Sequence, residues 1–86
     1  ARYARTIQMF RFGDRTRAAA MADDLIRSQP GNPYFHEIKG QILLETGQPA
    51  AALPSLRRAV SLAPNAGLIR IMLGHALVAS GNNAVL

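Results

Sequence analysis

Glycine and proline recur at a fixed interval of 34 residues along this chain of 86 residues. Three independent sets keep that step: Gly13, Gly47 and Gly81; Gly40 and Gly74; Pro30 and Pro64. Glycine after a helix can adopt the left-handed conformation that ends it, and proline cannot continue a helix. Because a fixed period marks one supersecondary unit that is repeated, the spacing predicts stacked helical hairpins.

Between these residues, the apolar side chains follow the spacing of α-helices. They recur every three or four positions, which places them on one face of a helix. Five runs do so: Tyr3, Ile7 and Phe10; Ala18, Ala22 and Leu25; Phe35, Ile38 and Ile42; Leu53, Leu56 and Val60; Ile69, Leu73 and Ala76. The chain is therefore predicted to be all-α, with five helices near residues 2–12, 15–28, 33–46, 50–62 and 67–80.

Local signals agree with these helix starts. Asp14 follows Gly13 and is a candidate N-cap for the second helix. Pro33 and Pro49 stand where a first-turn proline would begin the third and fourth helices. Pro54 lies a turn inside the fourth helix, where it lacks a backbone donor, so we expect a late start or a kink there.

The middle unit, residues 33–66, resembles the tetratricopeptide repeat family. It has the family's first-helix glycine, turn glycine, two small second-helix residues and closing proline, at Gly40, Gly47, Ala52, Ala59 and Pro64. Four positions differ from the usual residues: His36 for Trp, Lys39 for Leu, Leu43 for Tyr and Leu56 for Phe. The small residues would let the two helices approach closely.

This resemblance implies a tetratricopeptide-like α-α superhelix of about two and a half repeats. We expect a single domain over residues 1–86, with units at 1–32 and 33–66 and a partial unit at 67–86. The chain has no initiator Met, and we expect it to be a fragment of a longer protein.

Composition excludes several chemistries. There is no cysteine, so thiolate metal sites and cysteine nucleophiles are absent from the sequence. His36 and Glu37 open like a helical H-E-x-x-H zinc motif, but Gly40 stands where the second histidine is needed. No phosphate-binding loop or credible Ser-His-Asp grouping is present. We predict a chain that is not an enzyme and that holds no metal or other cofactor.

Charge leaves nucleic acid as a minor alternative. The formal net charge is +5. Five of the cations fall in the first 17 residues: Arg2, Arg5, Arg11, Arg15 and Arg17. They form no continuous stripe and no recognised nucleic-acid-binding motif, so nucleic acid is not the predicted partner. An RNA-binding helical repeat would show affinity that falls steeply with salt. No run of about 20 apolar residues is present, and membrane insertion is not predicted.

In arrays of this kind the first helix of each hairpin lines a groove that receives peptides. The predicted groove residues are Tyr3, Ile7, Phe10, Arg11, Tyr34, Glu37, Ile38, Gln41, Leu44, Glu45, Leu68, Ile71, Met72 and His75, and the repeat position of Val78 adds it to the same wall. Ile7, Ile38 and Met72 fit an inter-repeat core equally well. Chaperone-binding members of the family hold a terminal carboxylate with cations, and the corresponding positions here are Tyr3, Ile7, Ile38, Leu68 and Met72. Without those cations, the expected occupant is an apolar peptide segment of a partner protein or a helix of a neighbouring domain.

The last predicted helix has no partner to cover it. Its surplus apolar residues are Leu68, Ile71, Met72, Val78 and Val85. A repeat array needs a capping element over its final apolar face. We expect further chain in the parent protein, or a second copy of this fragment as a homodimer, to cover the face.

A narrower resemblance rests on the run Asn32-Pro33-Tyr34-Phe35-His36-Glu37-Ile38-Lys39-Gly40-Gln41-Ile42-Leu43, with Arg57-Arg58-Ala59-Val60 and Leu68-Ile69-Arg70. Over residues 30–77 the chain resembles the C-terminal repeats of bacterial BepA-like zinc metalloproteases. The resemblance implies a periplasmic protein whose repeats contact the protease domain, partners or clients. No catalytic residue of that family maps onto this chain. The alternative is a free-standing adaptor or assembly scaffold unrelated to proteolysis.

Overall fold

The computed structural model describes residues 15–81, and the side chains from residue 17. Within that range the chain forms four helices and no strand: α1 (Arg15–Ser28), α2 (Pro33–Glu45), α3 (Pro49–Leu62) and α4 (Gly67–Ala79). These helices confirm the predicted all-α class and lie within one residue of the second to fifth predicted helices. The predicted first helix, at 2–12, and the Asp14 cap lie outside the described residues.

The turn before α2 is fixed by local chemistry. Asn32 has an extended backbone, and its side-chain oxygen accepts a hydrogen bond of 3.0 Å from the backbone N–H of Tyr34. Pro33 follows as the first helical residue, where its missing N–H is not needed. The predicted role of Pro33 as the first residue of the helix is therefore confirmed, and Asn32 is the N-cap of the same helix.

Glycine ends the helices as its spacing predicts. Gly47 follows α2 with φ of +78°, and Gly81 follows α4 with φ of +84°. At the first of these ends the N–H of Gly47 donates to the carbonyl of Leu44, and the N–H of Gln48 donates to that of Leu43. This pair of bonds satisfies carbonyls that the helix end leaves unpaired, and it requires the left-handed residue between them.

Pro54 lies inside α3, which runs without a break from Pro49 to Leu62. The expected late start is therefore wrong. Pro54 removes the hydrogen bond to the carbonyl of Ala50, but both residues are exposed, so water can reach that carbonyl. Pro49 begins the helix instead, as the first-turn position favours.

The interior consists of two buried clusters along the array. The first contains Ala18 and Ala22 of α1 with Ile38 and Ile42 of α2. The second joins α3 to α4 through these residues: Ala52, Leu53, Leu56 and Ala76. Leu43, Leu44, Met72, Leu73 and Leu77 pack against the second cluster. Each cluster therefore lies between consecutive helices, as expected for stacked hairpins.

Contacts between helices show which side of the array is the inner one. Each helix packs on the next along the chain, and the most extensive contact joins α2 to α3. In addition α2 touches α4, whereas among the four described helices α1 and α3 have no contact. Because alternate helices approach on one side only, the array curves toward the side that carries α2 and α4.

Candidate functional site

A concavity of about 370 Å³ opens between α2 and α4 on the inner side of the array. We refer to it as the inner groove. Its lining residues are Glu37, Gln41, Leu44, Glu45, Leu68, Ile71, Met72 and His75. All eight are among the residues predicted from the repeat positions. The structure thus brings together residues that lie up to 38 positions apart in the chain.

The α2 wall of the inner groove is polar. Glu37, Gln41 and Glu45 are four residues apart, so they form one stripe along the helix. Glu45 is exposed, whereas Glu37 and Gln41 are half-buried. Within residues 15–81, none of the three has a hydrogen-bond or ion-pair partner. The stripe therefore presents two carboxylates and an amide with free hydrogen-bonding capacity.

The α4 wall is largely apolar. Leu68 is 82% exposed and Ile71 is 57% exposed. Met72 is half-buried, and Leu44 and Met72 both pack against the core cluster between α3 and α4. His75 is exposed and adds one polar group one turn beyond Ile71. Exposed leucine and isoleucine side chains in a concave wall mark a surface suited to burying apolar groups of a ligand.

Burial perturbs one titrating group of the inner groove. Burial raises the pKa of the Glu37 carboxyl above its ordinary value of 4.5, because the charged form loses hydration in the helix wall. No positive side chain among the described residues offsets this loss. Glu37 is therefore a carboxylate held where its charge is unfavourable for the fold, as is common for groups with a functional role.

Two predicted groove residues of α2 lie elsewhere. Ile38 is only 3% exposed and packs with Ala18 and Ala22, so its assignment to the groove wall is wrong. It serves the core, the alternative that its position also allowed. Tyr34 is 56% exposed at the start of α2 and does not line the inner groove.

The remaining predicted groove residues belong to the first repeat unit. They are Tyr3, Ile7, Phe10 and Arg11, and all four lie outside the described residues.

His36 has a structural contact instead of a metal ligand set. Its Nε2 atom lies 2.7 Å from the backbone carbonyl of Pro30, so the side chain bridges the turn between α1 and α2. Among residues 15–81, no group of three or more His, Asp or Glu side chains is arranged to hold a metal ion. The sequence pattern did not reveal the contact with Pro30, because it depends on the path of the turn.

Comparison with known proteins identifies one family. A tetratricopeptide repeat model matches residues 10–67. No curated protein and no solved structure matches the chain at a significant level. Within the described part of the chain, no helix is both long and apolar enough to span a membrane.

Proposed function

The chain belongs to the tetratricopeptide repeat family, and on that basis we propose that it is a non-catalytic interaction module whose inner groove receives a segment of another polypeptide. Tetratricopeptide repeats are in general protein–protein interaction modules. The observation that carries the proposal is the inner groove itself. It lies between the first helices of consecutive hairpins and exposes Leu68 and Ile71 to solvent.

The chemistry of the walls favours a side-chain-bearing segment over a free carboxyl terminus. Family members that bind a terminal carboxylate do so with cations, but Leu68 and Met72 occupy two of the corresponding positions here. Glu37 and Glu45 would repel an incoming carboxylate in the same space. An internal segment that places apolar side chains against α4 suits the inner groove better.

Selection from a random dodecapeptide library, followed by binding measurements on the selected peptide, tests this proposal. Ile71→Ser removes an exposed apolar side chain from the inner groove. Val78→Ser is the control, because Val78 also lies on α4 and is 54% exposed. Its repeat position predicts a place in the groove wall, but it is not among the residues that line the inner groove. We expect Ile71→Ser to weaken binding about ten-fold, since burying an aliphatic side chain contributes roughly 1–2 kcal/mol.

Fluorescence anisotropy of the labelled peptide gives the Kd for each variant. Val78→Ser should stay within about two-fold of the unmodified chain, because its side chain lies outside the contact area. The proposal fails if the selected peptide binds both variants equally well.

We also propose that the chain is the C-terminal repeat region of a secreted or periplasmic zinc-dependent metalloprotease. The support is the sequence resemblance over residues 30–77, above all the run from Asn32 to Leu43, which the repeat pattern alone does not dictate. In such a protein the inner groove would contact the protease domain, a partner or a client. Measuring binding of the selected peptide to the longer protein shows whether another part of that protein already occupies the inner groove.

Translation of the reading frame upstream of Ala1 tests this second proposal. An export signal and a helical H-E-x-x-H motif are the expected findings. An unrelated upstream domain would instead support the alternative of a free-standing adaptor or assembly scaffold.

We propose that a second copy covers the face that α4 leaves uncovered in the isolated 86-residue chain. Of the residues expected on that face, Leu68, Ile71 and Met72 line the inner groove instead, and the uncovered face is the one that carries Gly74. Gly40 packs against Leu56, whereas a side chain at its repeat equivalent Gly74 would meet no atom of the described residues within 4 Å. This face of α4 therefore has room for another helix, in the position that α3 occupies against α2 in the preceding hairpin. Sedimentation velocity should show a dimer at high concentration, and a strict monomer would contradict this proposal.

A further inference from the structure

The two walls of the inner groove differ in chemistry. Glu37, Gln41 and Glu45 form a polar stripe beside Leu44 on α2, while Leu68, Ile71 and Met72 give α4 a largely apolar wall that ends at His75. A segment that lies between them meets carboxylates on one side and aliphatic side chains on the other. Complementarity therefore calls for a segment with two unlike faces.

The carboxylates of the α2 wall are not neutralised by the described part of the chain. Lys39 is on the same helix, but its ammonium pairs with Asp23 of α1 at 2.7 Å. Arg27 pairs with Asp24, and both residues lie on α1, before the turn that leads to α2. Among residues 15–81, the cations nearest in sequence to Glu37 are thus already paired, and no described side chain neutralises its charge.

The spacing of the two carboxylates sets a distance for the ligand. Glu37 and Glu45 are eight residues apart on one helix, which corresponds to about 12 Å along its axis. An extended segment rises about 3.3 Å per residue, so residues i and i+4 span nearly the same distance and point to the same side. The intervening residues i+1 and i+3 point to the other side, toward Leu68 and Ile71.

The contrast between the two walls favours an extended segment. Successive side chains of an extended chain point to opposite sides, so alternate residues face the carboxylates of α2 and the apolar side chains of α4. A helix with its side chains is about 10 Å across, whereas an extended chain is narrower and can lie between α2 and α4.

We propose that the segment bound in the inner groove is extended and basic, with Lys or Arg at positions i and i+4 facing Glu37 and Glu45, and apolar residues at i+1 and i+3 facing α4. This inference rests on the proposed function and names the chemical class of its ligand. The desolvated state of Glu37 supports it, because a cation of the ligand would replace the hydration that burial removes.

Four labelled peptides with blocked termini test the inference. The first has the sequence Gly-Lys-Leu-Gln-Leu-Lys-Gly, and the second and third carry Gln or Glu in place of both Lys residues. We expect the Lys peptide to bind at least ten-fold more tightly than the Gln peptide, and the Glu peptide to bind most weakly. A fourth peptide, with the two Lys residues adjacent, should lose most of the preference because it cannot reach both carboxylates.

Variants of the groove locate the origin of the preference. Glu37→Gln with Glu45→Gln should reduce the ratio between the Lys and Gln peptides to about two-fold or less. Ser61→Lys with Asn65→Lys changes the net charge equally at exposed positions outside the inner groove, and should keep at least half of the ratio. Circular dichroism establishes that each variant is folded.

The outcomes separate this inference from the proposed function. Equal binding of the Lys, Gln and Glu peptides, or an unchanged ratio in the Glu37→Gln, Glu45→Gln variant, would overturn the inference. Failure of all the designed peptides to bind would overturn it too. Neither result affects the proposed function, which depends on the library-selected peptide and its sensitivity to Ile71→Ser.

Discussion

The Nζ atom of Lys39 lies 2.7 Å from the Oδ1 atom of Asp23, so an ion pair joins α2 to α1. Leucine is the usual residue of the family at the position of Lys39. Lysine can fill that position because its aliphatic stem covers apolar surface while the ammonium reaches a partner. The first and second repeat units are thus linked by a polar contact in addition to the cluster that contains Ile38.

We predict a modest coupling energy between these two residues. Both side chains are about one-third to two-fifths exposed, so water weakens the attraction. A double-mutant cycle with Lys39→Met and Asp23→Asn should give a coupling of about 0.5–1 kcal/mol in urea unfolding at low salt. The coupling should decrease at 1 M salt, and a value near zero at low salt would contradict the prediction.

Gly40 is required by its contact with the following helix. A Cβ atom added at Gly40 would lie 2.5 Å from both Cγ and Cδ2 of Leu56, which is fully buried and has no room to move. Gly40→Ala should therefore destabilise the chain by about 1–3 kcal/mol, although alanine favours helices. Thermal or urea unfolding followed by circular dichroism measures the change.

Gly74 provides the matched control for that substitution. It occupies the equivalent position of α4, but no neighbouring residue in the described part of the chain lies within 4 Å of an added Cβ atom. Gly74→Ala should stabilise the chain by up to about 1 kcal/mol through helix propensity alone. Equal effects of the two substitutions would show that close packing at Gly40 does not determine the result.

Ala59 is the second close-contact position that can be tested. It is fully buried in α3, so a larger side chain has no free space. Ala59→Leu should overpack the interface and destabilise the chain by about 1–3 kcal/mol. Ala51→Leu is the control, because Ala51 is exposed on the same helix, and it should change stability by less than about 0.5 kcal/mol.

Glu37 gives a pH-dependent prediction. Its pKa is raised in the folded chain, so the folded state binds the proton more tightly than the unfolded state does. Stability from this group is therefore lost as the pH rises from 4.5 through the raised pKa, and stays constant above it. Glu37→Gln should be more stable than the unmodified chain at pH 7, and the difference should shrink as the pH falls through the raised pKa.

Urea unfolding at several pH values measures this difference. Glu45→Gln is the control, because it removes the same charge from an exposed site on the same helix. A gain in stability from Glu45→Gln as large as that from Glu37→Gln would attribute the effect to net charge instead of burial.

The helices and the composition of the inner groove could be predicted from the sequence because both depend on local and periodic information. Glycine at positions 47 and 81 ends helices through its own backbone conformation, and Pro33 and Pro49 begin them. Once helix phase and repeat length were known, repeat position alone placed all eight lining residues on the inner side.

Only the tertiary structure decided how deeply each inner residue is buried. Ile38 and Met72 are equivalent residues of consecutive units, yet Ile38 is enclosed by Ala18 and Ala22 while Met72 lies in the groove wall. The repeat counterpart of Ala22 is Leu56, a larger residue that belongs to the cluster against which Met72 packs.

The ion pair of Lys39 and the desolvation of Glu37 depend on the neighbouring helices in the same way. The periodicity of one helix determines which side chains face inward, but their burial and their partners depend on the volume and charge that the packed helices supply. The sequence therefore determined the elements and the inner face, and the packing of α1 to α4 determined the role of each residue on it.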